Sequence, residues 1–335
     1  MADISTAAVT LSDGHKMPLL GLGTWKSKPQ QVCKAVEAAI EAGYRHVDGA
    51  YVYQNEDEVG AGVRACIAKG IVSRGQLFIV SKLWGKFHAP ADVKQCFMKT
   101  LTDLGLDYLD LYLMHSPMGY QNVGEELYPT MDGRLLCSDV DYLDTWKAME
   151  DLVKEGLVKS LGVSNFNIPQ LNRLLSSASI KPVVNQVELH PYNAQPKLVQ
   201  FCKSQGIVLT AYSPFGSPDR PSLAAAKSSN DNVKLDKDPG NLLQDPVVAD
   251  IAKKHGKSSG QILLRYHIEN NIVVIPKSVT PANIIQNSKV FDFSLDEEDL
   301  KKLAQLDRGW SLANSLFTKL KDHKYFPVND DYPSR

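Results

Sequence analysis

Four residues in the first third of the chain combine into a device for handing over a proton. Asp48 closes the run His46-Val47-Asp48, and Tyr53 ends the loop that follows it. Lys82 ends Leu77-Phe78-Ile79-Val80-Ser81-Lys82, and His115 ends the run from Tyr108. A phenol with a pKa of about 10 is a weak acid at neutral pH. An ammonium beside it favours the phenolate and lowers that pKa, and a carboxylate keeps the ammonium in place and charged. An imidazole can hydrogen-bond and orient a carbonyl oxygen. The set suits an oxygen that is gaining negative charge, as a carbonyl oxygen does when hydride reaches its carbon. Taken singly, each residue has a plainer reading as a packed or ion-paired group. Their placement at three consecutive strand ends carries the chemistry.

Those side chains meet only if successive strands lie side by side with their carboxyl ends together. An Asp13-Gly14 turn between short β-like runs predicts an N-terminal hairpin. The chain then alternates. Strands are expected at 19–23, 46–48, 77–82, 108–115, 158–164, 183–188, 207–212 and 272–275, each followed by a helix-periodic stretch. In the stretch Gly43 to Gly60, the acidic run Gln54-Asn55-Glu56-Asp57-Glu58 reads as a helix start opposing the helix dipole. Eight strand–helix units without a linker favour a closed (β/α)8 TIM barrel, with residues 1–335 as one domain, over an open sheet. The open sheet needs a GxGxxG turn, and Gly21-Leu22-Gly23 lacks the third glycine. Two long loops, to about Val140 and from Ser213 to Asp245, exceed ordinary connectors. In a barrel all such loops gather at the carboxyl-terminal face.

The composition is that of a globular chain of 335 residues, 43% hydrophobic and 22% charged, with a net charge of -1. No basic excess points to nucleic acid or a membrane surface. The first residues carry acids and no apolar core of a signal peptide, and no run is long and apolar enough to span a bilayer. Five dispersed cysteines show no metal-binding spacing, which suggests reduced thiols, a cytoplasmic setting and no metal site.

The motifs GLGTWKS (21–27), YRHVDGAYVYQNEDEVG (44–60), SKLW (81–84), LDYLDLYLMH (106–115), LGVSNF (161–166), NQVELHPY (185–192), AYSP (211–214) and IPKSVTP (275–281) occur in one order. Together they resemble the aldo-keto reductases, close to the aldose/aldehyde reductase branch, over the hairpin to about Leu306. The resemblance implies NADPH as cofactor, bound without a Rossmann motif, and a small-molecule carbonyl as substrate. It implies Asp48, Tyr53, Lys82 and His115 as a catalytic tetrad with Tyr53 as general acid. It implies Ser164, Asn165 and Gln186 on the nicotinamide carboxamide, with Tyr212 stacked on the ring. Thr24, Trp25 and Lys26 and the loop residues Ser213, Pro214, Phe215, Ser217 and Asp219 are expected around the cofactor, Lys26 pairing with Asp219 near the pyrophosphate. Lys277, Ser278, Val279 and Thr280 open a helix and are expected to hold the 2′-phosphate. Asn283, Gln286 and Asn287 follow, but the family pattern has arginine where this chain has Asn283, which weakens the expected preference for NADPH. A monomer is expected.

Trp25, Val52, Trp84 and the Met118-Gly119-Tyr120 stretch are expected to line the mouth, an aromatic wall suited to apolar carbonyls. The family usually has Trp after the histidine; Ser116 stands here, and the smaller residue is expected to widen that wall. The carboxyl-terminal tail, Gly309 to Arg335, is expected to cover the pocket and matches no single specificity class. A broad aldehyde and ketone reductase follows, with a bulky keto-steroid among its candidates. Two other readings stand beside it: a Schiff-base lyase using Lys82 as nucleophile, and a non-catalytic nucleotide-binding or structural protein.

Overall fold

The computed structural model describes residues 3–220, 238–313, 320 and 322–327. Strands β1 (Ala8–Thr10) and β2 (Lys16–Pro18) form the N-terminal hairpin, Val9 opposite Met17. Gly14, at φ 90°, makes its turn. Leu11 and Met17 bury against Phe78, Val80, Leu111, Leu113, Val184 and Val273, the inward residues of the strands that follow. The hairpin therefore plugs one end of the interior.

The strands β3 (Leu22–Gly23), β4 (His46–Asp48), β5 (Phe78–Leu83) and β6 (Leu109–Met114) pair in parallel in chain order. The loop after β6 holds two short antiparallel pairs, β7 (Gly119–Tyr120) with β10 (Cys137–Ser138) and β8 (Thr130–Met131) with β9 (Arg134–Leu135). The parallel sheet resumes with β11 (Val158–Ser164), β12 (Val184–Glu188), β13 (Val208–Tyr212) and β14 (Val273–Val274). Bridges Leu20 to Val274 and Gly23 to Lys277 join the last strand to the first. The sheet closes into the (β/α)8 barrel expected from the repeat of elements.

Period-two alternation divides each strand between two cores. On β5, Phe78 and Val80 face the interior, while Ile79 and Leu83 face the helices. Lys82 therefore points inward. The helices α1 (Val32–Glu41), α2 (Glu56–Ala68), α3 (Pro90–Leu104), α4 (Tyr142–Lys154), α5 (Ile168–Ser177) and α6 (Pro196–Ser204) cover the strands. So do α7 (Pro246–His255), α8 (Ser259–Glu269) and α9 (Pro281–Ser288), with α10 (Glu297–Ala304) beside α7. Most ends carry local signals: Pro at the first turn of α3, α5, α6, α7 and α9, and left-handed glycines after α3 and α7.

The long loop from Ser213 is described up to Arg220 and again from Asp238, so most of the polar Ser222 to Gly240 stretch lies outside the described residues. The same holds for Leu316 and Phe317 of the tail.

Candidate active site

The chain turns at Gly49-Ala50 after β4 and makes a 3-10 turn, Tyr51–Tyr53, stopped by Gln54 at φ 53°. This turn brings the Tyr53 hydroxyl 3.5 Å from Lys82 Nζ. Lys82 is fully buried, and its Nζ donates to Asp48 Oδ1 at 2.5 Å and to Gly49 O at 2.8 Å. His115 follows β6; its ring stands edge-on to Tyr53 at 5.8 Å and to Trp84 at 5.4 Å. Phenol, ammonium, carboxylate and imidazole thus share one mouth.

Burial sets their charge states. The Tyr53 phenol is raised well above its ordinary pKa by burial first, then by the Asp48 charge, with Tyr212 and Tyr128 adding. This corrects the expectation that Lys82 lowers it. The ammonium is paired with Asp48 at 2.5 Å and lies 3.5 Å from the phenol, and its pull does not outweigh burial. Burial also lowers the pKa of Lys82, against the pull of Asp48. Burial and the Lys82 charge hold His115 well below its ordinary range, so its ring is neutral at neutral pH. His115 Nδ1 has no hydrogen-bond partner among the described residues.

β11 and β12 supply a second group, with Ser164 beside Gln186 in the register. Ser164 Oγ donates to Gln186 O at 2.8 Å, and Asn165 Nδ2 donates to His115 O at 2.9 Å. Tyr212 Oη donates to Asn165 Oδ1, and Gln186 Nε2 to Asp48 Oδ2, both at 2.8 Å. The donors are engaged. The amide oxygens of Asn165 and Gln186 and the Ser164 hydroxyl can still accept, which fits a planar carboxamide offering N–H groups.

A third group lies where β13, β14 and β3 adjoin. The bridge from Gly23 to Lys277 sets Thr24, Trp25 and Lys26 next to Lys277–Thr280. Thr24 is buried with Oγ1 on Asp48 O at 2.8 Å. Lys277 and Thr280 are exposed, Ser278 and Val279 half-buried. Helix α9 begins at Pro281 without a side-chain cap, and Thr280 N–H donates to Ser278 Oγ at 3.2 Å. A cation, two hydroxyls and an open helix start fit a phosphate group. Asn283 and Gln286 are exposed along α9, whereas Asn287 is buried.

After β13, Ser217 Oγ donates to Ser213 Oγ at 3.0 Å, and Pro214 and Ser217 are buried. Phe215 packs into the hydrophobic clusters behind the loop rather than standing free at the mouth. Asp219 is exposed, and no ion pair joins it to Lys26 among the described residues. Lys26 Nζ instead lies 4.5 Å over the Trp25 ring. The expected Lys26–Asp219 pairing is not made in this structure.

One wall of the mouth is aromatic. Trp84 contacts Tyr120 at 5.3 Å and Tyr128 at 5.1 Å. Val52, Leu320 and Phe326 pack on the same cluster, which brings the tail to the wall. Tyr325 does not join it: its ring meets Tyr142 at 5.0 Å, over the helices. Met118 and Tyr120 are buried in the same cluster as Trp84. Ser116 is buried too, and its Oγ accepts the Met118 N–H at 3.1 Å. Its hydroxyl fastens the turn.

Residues 19–308 match the sequence profile of the Aldo/keto reductase family. The chain belongs to that family. It is 47% identical over 333 residues to aldo-keto reductase family 1 member A1 of Xenopus tropicalis, covering 96% of this chain and 98% of the relative. The human protein of the same name is 44% identical over 338 residues, covering 98% of this chain and all of the relative. Among solved structures, the aldose reductase of Schistosoma japonicum superposes with a TM-score of 0.85 at 38% identity, over 97% of this chain and 99% of that one. A Bombyx mori aldo-keto reductase in complex with NADP superposes with a TM-score of 0.81 at 39% identity, over 96% and 98%. The protein is an oxidoreductase that works with NADP(H).

Three features of this aldo/keto reductase escape a motif-based reading. Arg220 clasps Asp238 across the long loop and lies 4.5 Å over Trp310 of the tail. Glu188, buried at the end of β12, accepts Ser311 Oγ at 2.7 Å and the Leu312 and Ala313 N–H groups. Glu188 lies inside the quoted motif at 185–192, but its partners are distant in sequence.

Glu56 is the third: it stands in the acidic first turn of α2, as expected, but turns inward. It is buried between β5 and α3, accepting Ser81 Oγ at 2.5 Å and Thr100 Oγ1 at 3.0 Å. Burial outweighs those two donors and pushes its pKa up to about 7. The folded state therefore holds this proton more tightly than the unfolded chain does. Its contribution is full below the ordinary carboxylate range and is lost as pH rises through about 7. Glu56→Gln should remove that loss, raising stability at pH 8 by up to about 3 kcal/mol. Denaturant titrations at acid and mildly alkaline pH measure it; equal pH dependence in both proteins would contradict the assignment.

Proposed function

We propose that this protein reduces aldehydes and ketones to alcohols with NADPH, Tyr53 donating the proton, and that its preferred carbonyl is bulky and apolar. The observation that carries this reading is the Tyr53 hydroxyl at 3.5 Å from a buried ammonium, itself fixed by Asp48 and Gly49. When bound, NADPH supplies the hydride that reaches the carbonyl carbon. Neutral His115 and the Tyr53 hydroxyl hold the carbonyl oxygen and turn the carbon toward the cofactor. As charge grows on that oxygen, the Lys82 ammonium stabilises it and the Tyr53 proton moves to it.

A raised phenol pKa is compatible with this role. It keeps the proton on until an alkoxide appears, and an alkoxide is about as basic as hydroxide, whose parent water has a pKa of about 15.7. Ser164, Asn165 and Gln186 would hold the carboxamide, Tyr212 would stack on the nicotinamide, and Lys277 to Thr280 would hold the 2′-phosphate. All these residues come from one chain, so we take residues 1–335 as one domain that needs no second subunit. The lyase reading is disfavoured because Lys82 is fully buried and locked on two acceptors.

The test is a turnover screen with both cofactors over a small aldehyde, a polyhydroxy aldehyde and a flat polycyclic ketone. NADPH consumption with the apolar carbonyls ahead of the sugar is expected; no consumption with any carbonyl rejects the reading. Equal KM for NADPH and NADH removes the phosphate site. Asn283→Arg should then sharpen the preference, lowering KM for NADPH about tenfold through a charge-assisted pair worth about 1.5 kcal/mol and leaving NADH unchanged. An equal change for both cofactors would place residue 283 away from the phosphate.

A further inference from the structure

Lys86 occupies the 3-10 turn Gly85–Phe87 after β5 and is 5% exposed. Lysine normally keeps its ammonium in water, and a buried one is costly unless its donors are satisfied. No ion pair is made by Lys86 among the described residues. Its Nζ donates to two main-chain carbonyls of the loop after β6, Gly124 O at 2.6 Å and Glu126 O at 3.2 Å. Residues 121–126 are otherwise exposed. The turn that aims the Gly124 carbonyl inward is left-handed, at φ 60°, with nothing within 4 Å of where a Cβ would stand. Two further tethers flank the clamp: Trp84 Nε1 donates to Leu127 O at 2.7 Å, and Asn122 Nδ2 to Asp92 Oδ2 at 3.0 Å.

The next residue is Tyr128, half of whose surface is open. It stands edge-on to Trp84 and 5.9 Å from Tyr120, and its phenol is near enough to act on Tyr53. Nothing else on this stretch enters the aromatic cluster except Leu127 and, past the β8–β9 hairpin, Leu135. The position of Tyr128 over the mouth therefore depends on what holds 124–127.

We propose that Lys86 is a positioning residue for substrate selection: its buried ammonium clamps residues 124–126 and so fixes the Tyr128 edge of the mouth. The inference rests on the carbonyl-reductase reading. It concerns only carbonyls large enough to reach that edge. Loss of the clamp weakens their binding and leaves the chemical step intact, because the hydrogen bonds of Lys86 go to Gly124 and Glu126 and to none of Asp48, Tyr53, Lys82 and His115.

The experiment uses the full chain with NADPH and two substrates, 2-naphthaldehyde and propanal, for wild type, Lys86→Met and Lys86→Arg. Lys86→Met should raise KM for naphthaldehyde about tenfold, equivalent to about 1.4 kcal/mol, with kcat, the Kd for NADPH and KM for propanal within about twofold. Lys86→Arg, which keeps the donors, should recover most of the loss. Hydrogen exchange at residues 122–128 should quicken in Lys86→Met whether or not any carbonyl is turned over. Gly124→Ala tests the same clamp from its other end without touching the buried cation; it strains the left-handed turn and should give a smaller rise of the same kind. A KM rise shared by both substrates, or unchanged exchange in both variants, overturns the proposal. A wild type that reduces neither aldehyde rejects the carbonyl-reductase reading instead, and exchange alone then decides the clamp.

Discussion

Tyr53→Phe should lower kcat for carbonyl reduction by about a thousandfold, within the range known for a positioned general acid, while the Kd for NADPH changes by less than about twofold. The substitution removes one oxygen and keeps the ring that stands edge-on to His115. Lys82 loses its third, longest contact and keeps Asp48 and Gly49. Asp48 keeps Gln186, so the side chains proposed to hold the nicotinamide stay in place. What disappears is the one hydroxyl proton beside the ammonium. His115 cannot replace it, since burial and the Lys82 charge keep its ring neutral and weakly basic. Because the Tyr53 phenol is raised and His115 lowered, neither titrates at neutral pH. Wild-type reduction should therefore stay flat over roughly pH 6–8 as far as these two groups are concerned. Stopped-flow decay of NADPH absorbance measures the rate, and quenching of tryptophan fluorescence the affinity. A variant retaining more than about a tenth of wild-type turnover would move the acid to another residue.

The barrel was legible because its signals are local. Pro90 to Leu104 shows helical period with Pro at its first turn and Gly105 after its end, and the helix has those bounds. Lys82 could be aimed inward from alternation alone, since Phe78 and Val80 fix the phase of β5. The small pairs in the loop after β6 were not read, because strands of two residues have no period. One clue was present: Asp132-Gly133, both at positive φ, is the same turn pair that gave away the N-terminal hairpin. Electrostatics was the least legible part. A sequence shows that a lysine and an aspartate flank a tyrosine; it does not show that Lys82 lies 2.5 Å from Asp48 and 3.5 Å from the phenol. Nor does it show the burial that, with the Asp48 charge, raises the phenol's pKa. Glu56 and Lys86 failed to stand out for a related reason: a charged residue is read as solvated unless its distant partners are known.

Lys82→Met should cut the rate of reduction by about a hundred- to a thousandfold and also unfold the protein more readily, and the two effects can be separated. The ammonium is fully buried with Asp48, itself 1% exposed. Removing it leaves a buried carboxylate whose only remaining side-chain donor among the described residues is Gln186 Nε2. Breaking a buried pair from one side costs about 3–5 kcal/mol, so the melting temperature should fall steeply. The double variant Asp48→Asn with Lys82→Met removes both charges and should regain most of that stability, as neutral replacements of buried pairs do. Turnover should not return. The oxygen of the reacting carbonyl would still lack the nearby positive charge, a loss of about a hundred- to a thousandfold in kcat. Thermal unfolding and single-turnover rates for wild type, both single variants and the double variant complete the cycle. If turnover recovers together with stability, Lys82 is a structural counter-ion to Asp48 and the proton is delivered without its help. If stability recovers alone, the ammonium acts on the reacting oxygen, and its tight grip by Asp48 is the means of keeping it charged inside an apolar barrel.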